Sequence, residues 1–391
     1  MNRKQFVILL VLVAILGAAG LVIHQRGQQS WHSAGQSIGQ KLMPNFPVND
    51  IGQISIKSGT NELNLFHRDY DNKWCVRERS NYLANFSQIS ELLLKLADLK
   101  IAQVEEIGPS QLGRFELLPA GAGANTGTAV EFKDVGGKTR SAVLLGKRHL
   151  RKPGANSRFG GMGDEGWPDG RYVKAGDVKT VALISDALDS VQPKPESWLN
   201  KDFFSIEKPR SLAVQFPEAT NSWKLTRDAE ANDWQLADAQ AGEKLDDSKI
   251  SGVTSPFSSP SFNDVLSGDT KPETAGLTKV TTVTVETFDG FIYTIKLGQK
   301  RGEDLPLTLT VSANLPANRI AAKAEKPEDK TKLDQEFAGQ QKKLANKLAS
   351  ETTLTKWIYF VPSYTVEPLL KSRGELLAEA KKDEKPAATP K

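Results

Sequence analysis

Cysteine is nearly absent from this chain: 391 residues contain one, Cys75. No intramolecular disulfide can form, so the fold must stand on its hydrophobic core. A lone Cys beside Trp74 at a strand end reads as a small buried hydrophobe. A dominant charge is missing too. Fifty-one basic residues face 47 acidic ones, a net charge of +4. The basic residues fall in short runs only, without the clustered excess of a nucleic-acid binder. Histidine is scarce, and His24, His32, His67 and His149 show no metal-ligand spacing. No GxSxG elbow is present, and neither His67 nor His149 sits in a recognisable motif, so serine hydrolysis lacks its parts. Paired-carboxylate chemistry would show only in geometry. A literal GxGxxG occurs at residues 161–166, but Trp167-Pro168 follows it. No helix N-terminus opens there to hold a pyrophosphate. The chain is therefore expected to be non-enzymatic, with no catalytic, cofactor-binding or metal residues.

One long apolar run is present. Residues 6–23, from Phe6 to Ile23, carry no charge over 18 positions. As a helix they span about 27 Å, close to the hydrocarbon thickness. Arg3 and Lys4 precede the run and would stay cytoplasmic, which puts the rest of the chain outside. A cleaved signal peptide is the competing reading. Ala18-Ala19-Gly20 offers small residues, but Leu21-Val22-Ile23 follows directly and favours a retained anchor. Residues 1–25 are thus expected to be a transmembrane anchor and 26–49 a tether rich in Gln, Ser and Gly.

Two stretches, Asn61–Val76 and Asn221–Leu236, align without a gap at an offset of 160 positions. Asn61, Leu65, Asn72 and Trp74 meet Asn221, Leu225, Asn232 and Trp234, and upstream Ile54 and Ile56 meet Val214 and Phe216. This predicts one supersecondary unit used twice. The first unit is placed at 50–192 and the second at 193–370, after the linker Pro193–Glu196.

Within the first unit, alternation at Ile54/Ile56 and Leu63/Leu65 predicts antiparallel strands, and Trp74–Val76 a third. Ser87 is the expected N-cap of a helix whose stripe is Ile89, Leu92, Leu93, Leu96 and Leu99. A short turn or helix at Ser110–Leu118 precedes a hairpin across Gly136-Gly137. A long loop is expected at 149–170, then strands at 171–173 and 180–184 and a short helix at Asp186–Val191. Arg158, Trp167 and Arg171 make that loop the expected partner-contact site.

In the second unit, Pro256 and Pro260 shorten the helix after Asp246. Asp289-Gly290 predicts the turn of a hairpin over 280–297. A charged, solvated helix is expected at 323–350, inserted before a last strand, Trp357–Val361. Residues 371–391 are expected to be a charged, partly disordered tail. The fold class is α+β: two tandem repeats of a mainly antiparallel sheet with a packed helix, behind one transmembrane helix.

The succession of Trp74-Cys75-Val76, a Leu-rich helix, Phe115-Glu116-Leu117, a hairpin ending Leu145-Gly146-Lys147, Tyr172-Val173 and Val181–Ile184 resembles the bacterial domain-of-unknown-function family numbered 4340. The resemblance covers roughly residues 50–370 as two copies, the first clearer than the second. It implies an exported, membrane-anchored accessory protein, often encoded with ABC-transporter components of the gliding-motility type. It carries no active-site residues. The expected job is that of an extracytoplasmic accessory or scaffold protein on the inner membrane, N-terminus cytoplasmic and bulk periplasmic. Its expected partners are the bilayer, through residues 6–23, and a membrane protein complex such as ABC-transporter subunits, not nucleic acid. The alternative is a ligand- or glycan-binding protein using a groove between the units. Trp198, Phe203 and Phe204 would line that groove unless they pack the units together. An envelope hydrolase ranks behind both.

Overall fold

The computed structural model describes residues 38–378, except 120–122, 152–166, 177–179, 256 and 321–324. The chain forms two compact units, the first ending at Asn200 and the second beginning at Lys201.

The first unit holds β1 (Gln53–Ser58), β2 (Asn61–Arg68), β3 (Lys73–Val76), β4 (Tyr82–Leu83), helix α1 (Phe86–Asp98), β5 (Ile101–Glu106), a 3-10 helix (Pro109–Phe115), β6 (Thr128–Lys133), β7 (Thr139–Arg151), β8 (Trp167–Ala175) and β9 (Thr180–Ile184). The strands make one antiparallel sheet in the order β4-β3-β2-β1-β6-β7-β8-β9-β5. Alternation is the cause: in β6, Thr128, Val130 and Phe132 are buried while Ala129, Glu131 and Lys133 face partly to water. Ile54 pairs with Leu65 on one side and Phe132 on the other, so the inward row is continuous across strands. Helix α1 adds Ile89, Leu92, Leu93 and Leu96 to that core.

The second unit holds β10 (Pro209–Gln215), β11 (Trp223–Thr226), β12 (Gln235–Leu236), α2 (Asp247–Ile250), β13 (Asp264–Ser267), α3 (Pro272–Ala275), β14 (Thr281–Thr287), β15 (Phe291–Leu297), β16 (Asp304–Ala313), α4 (Pro327–Thr352), β17 (Trp357–Pro362) and α5 (Ser363–Val366). Its antiparallel sheet runs β12-β11-β10-β14-β15-β16-β17-β13. Strand β15 alternates strictly, burying Phe291, Tyr293, Ile295 and Leu297. The molecule is thus α+β, with two antiparallel sheets.

Several local expectations change. Asn85, not Ser87, caps α1: its side chain accepts the Gln88 N–H at 3.2 Å. Residues 149–151 and 167–170 are not loop, because β7 and β8 continue through them as a paired ribbon, with Arg151 opposite Trp167. Asp186–Val191 is not a helix. Leu188 sits at φ +47°, which no α-helix accommodates, and Asp186 accepts the Leu188 N–H at 2.7 Å in a local turn. The first unit runs past Pro193–Glu196. Trp198 is fully buried in it and donates its indole N–H to Gln192 O, and Asn200 N–H donates to Leu83 O.

Among the described residues no helix is long and apolar enough to cross a membrane. The anchor expected from Phe6 to Ile23 lies outside the described residues, as do Arg158, the GxGxxG stretch and residues 379–391 of the expected tail.

Candidate functional site

The second unit bears a half-open polar cavity of about 240 Å³. Three pieces of chain make it. The β14–β15 turn supplies Asp289 and, just beyond, Phe291 and Tyr293. The segment entering β10 supplies Glu207 and Lys208. The C-terminal half of α4 supplies Lys343 and Lys347. The turn forms because Gly290 adopts φ +85°, and a β-carbon there would meet Asn314 O at 2.5 Å. Helix α4 reaches the cavity because Leu333, Phe337, Leu344 and Leu348 give it a half-buried stripe on an otherwise exposed surface.

Behind the cavity lies the buried carboxyl of Glu351, on the last turn of α4 and 5% exposed. The Tyr293 O–H donates to its Oε2 at 2.8 Å and the Ser205 N–H to its Oε1 at 3.2 Å. Burial pushes the Glu351 carboxyl above the usual carboxylate range, against the pull of Tyr293, Ser205 and Lys347. Burial, with the Glu351 charge beside it, also pushes the Tyr293 phenol upward. Lys347 joins the two halves of the site. Its ammonium donates to Ser205 O at 2.7 Å, lies 3.7 Å from Glu207 and 4.0 Å from Glu351, and sits 5.6 Å from the Phe291 ring centre. At the rim, Lys208 holds φ +47° and pairs with Asp289 at 3.4 Å.

This arrangement has the parts of a binding site. It offers fixed charges, hydroxyl groups and an aromatic wall. The Thr287 hydroxyl oxygen already accepts the Phe291 N–H, and the raised phenol of Tyr293 stays protonated. Among the described residues no group of three or more His, Cys, Asp or Glu is placed to hold a metal ion.

The residues singled out from sequence lie elsewhere. Trp167 is 56% exposed at the far end of the β7–β8 ribbon, opposite Arg151. Arg171 points the other way. Its Nε donates to Gly146 O at 2.8 Å and its Nη1 to Ala187 O and Leu188 O, so it fastens the β9 exit to the hairpin. His149 Nδ1 lies 2.6 Å from Asp169 Oδ1 across the same ribbon. Phe204 is buried in the second unit against Phe257 and Tyr293, and half-buried Phe203 packs on Phe262 and Tyr359. Trp198 and Phe204 are thus core residues of their own units, not an open aromatic platform. Cys75 is fully buried, and burial raises its thiol to about 11.

Sequence reading misses the Glu351–Tyr293 pair, whose members lie 58 positions apart. One signal was available. Tyr293 is the polar tip in the inward row Phe291, Tyr293, Ile295, Leu297, and a buried phenol needs a partner.

Neither a curated protein nor a solved structure matches this chain. A family model matches residues 74–280, from β3 to the threshold of β14, taking in parts of both units. That match covers just over half of the chain and includes the Trp74-Cys75-Val76 strand, the Leu-rich helix and the Leu145-Gly146-Lys147 hairpin end. On this match the chain belongs to the family described as Domain of unknown function (DUF4340).

Proposed function

We propose that this protein is a non-enzymatic, membrane-anchored extracytoplasmic accessory or scaffold protein built from two copies of one sheet unit. The uncharged run at residues 6–23, ahead of two sheet units, carries the reading. The duplication draws support from the strand ladders. Leu65 pairs with Val76 and Leu225 with Leu236, at the same 160-residue offset as the sequence match. The sheet orders coincide strand for strand once β4 is set aside. Leu117 packs against Gly146 and Leu277 against Gly298, each behind a left-handed residue, Glu116 and Gly276. One detail shifts. Ile54 pairs with Leu65 but Leu212 with Leu225, so Ile54 answers to Leu212 rather than Val214. The longer β10–β11 connection, with its 3-10 turn Ala219–Asn221, absorbs those two residues.

The partner we propose is a membrane protein complex of the ABC-transporter class. The exposed Trp167 on the β7–β8 ribbon is of the kind that anchors a protein interface. The test is affinity purification of the full chain from mild detergent beside a version lacking residues 1–25, with mass spectrometry of the eluate. Transporter subunits retained by both forms locate the contact on the sheet units. Retention by the full chain alone locates it on the anchor. If neither form retains a membrane protein, the accessory reading falls.

A further inference from the structure

We infer that the cavity of the second unit binds a small organic monoanion, a carboxylate carrying a flat apolar body. This goes beyond the accessory role and does not depend on it. The walls set the charge. Lys208 is paired with Asp289, and Lys347 with Glu207. Glu351 lies behind the wall, its oxygens turned to Tyr293 and Ser205. Lys343, on the exposed side of α4, lines the same cavity and has no ion-pair partner among the described residues. Of the charged groups lining the recess, Lys208, Lys343 and Lys347 face only Glu207 and Asp289, so one cationic group is in excess, and Lys343 is the one without a carboxylate partner. An anion entering there finds an ammonium it does not have to take from a carboxylate, whereas a cation must break an existing pair.

The rest of the lining selects the body. Phe291 and Leu344 give an apolar wall, and Thr287 a hydroxyl whose oxygen accepts the Phe291 N–H and whose proton faces no acceptor within hydrogen-bond distance among the described residues. A volume of about 240 Å³ equals the liquid share of about eight waters, room for one ring and a carboxylate.

The test uses the full chain in detergent and benzoate as probe, by equilibrium dialysis at low salt against empty micelles. Expected is saturable binding of one benzoate per chain in the millimolar range. Lys343→Gln should weaken it about tenfold, the loss of one hydrogen bond to a charged group. Lys342→Gln, one residue away on the exposed surface, should leave it unchanged. Benzamide, which has the same shape without the charge, should bind at least about tenfold more weakly. Equal weakening by Lys342→Gln, equal binding of benzamide, or no saturable binding would each overturn the inference. Because Lys343 is exposed, its substitution leaves the fold intact and a negative result counts.

Discussion

Replacing Tyr293 with Phe removes one oxygen and nothing else from the core of the second unit. That oxygen donates its proton to Glu351 at 2.8 Å, on a carboxyl only 5% exposed. Glu351 is held above its ordinary value near 4.5, chiefly by burial. Between that value and the folded one, the folded protein binds more protons here than the unfolded chain does. The stability contributed by Glu351 is therefore full below pH 4.5 and falls as pH rises through the raised value. Above that window the group is a buried carboxylate, and losing a donor to it costs about 2 kcal/mol. Below it the carboxyl is neutral, and the same loss costs about 1 kcal/mol. Amide hydrogen exchange, corrected for intrinsic rates, should show this in peptides from the end of α4 and from β15. Protection should drop about thirtyfold in mild alkali and about fivefold in acid. Glu351→Gln should flatten the pH dependence of the same peptides. Equal losses at both pH values, or no loss at all, would refute the reasoning, because Glu351 would then not depend on Tyr293 for its charge.

Gly146→Ala and Gly298→Ala should each destabilise their own hairpin by about 1–3 kcal/mol, seen as lower exchange protection. The new β-carbons would meet Phe115 O at 2.3 Å and Gly276 O at 2.4 Å. Gly339→Ala should act in the opposite sense, raising α4 protection by about 1 kcal/mol, since nothing lies within 4 Å of its added methyl. Asn85→Ala should cost about 1 kcal/mol at the start of α1 by removing its cap, read from exchange in that helix. The Cys75 thiol, raised to about 11 and fully buried, should resist a disulfide reagent in the native protein at about pH 8 and react at once in denaturant.

Sequence alone reveals the elements whose pattern is strict. The β14–β15 hairpin is readable because its inward residues recur at every second position and Asp289-Gly290 marks the turn. Helix α1 is readable from its Leu-rich stripe, and α4 from a charged run free of proline after Pro327. Strands β5 and β13 escape notice for the opposite reason. Each buries a single residue, Ile101 or Val265, so no alternation can develop. The cavity was hidden because its walls come from three distant pieces of chain, and because Glu351 looks like one more acid on a solvated helix. Arg171 misleads in the same way. An arginine beside a glycine-rich loop suggests a surface contact, but this one is occupied by three backbone carbonyls.

The outermost strands have one more consequence. A long, flat, unpaired strand offers its backbone to any neighbour and so invites self-association. Here two of the four outer strands, β4 and β12, are two residues long, and β13 is four. The longest, β5, is broken in register between Ile101 and Gln103 and ends on Glu105 and Glu106. At its start, residues 39 and 40 already hydrogen-bond to Ile101. Copies crowded side by side would find little backbone to join, so sheets of nine and eight strands can stay separate at high local density.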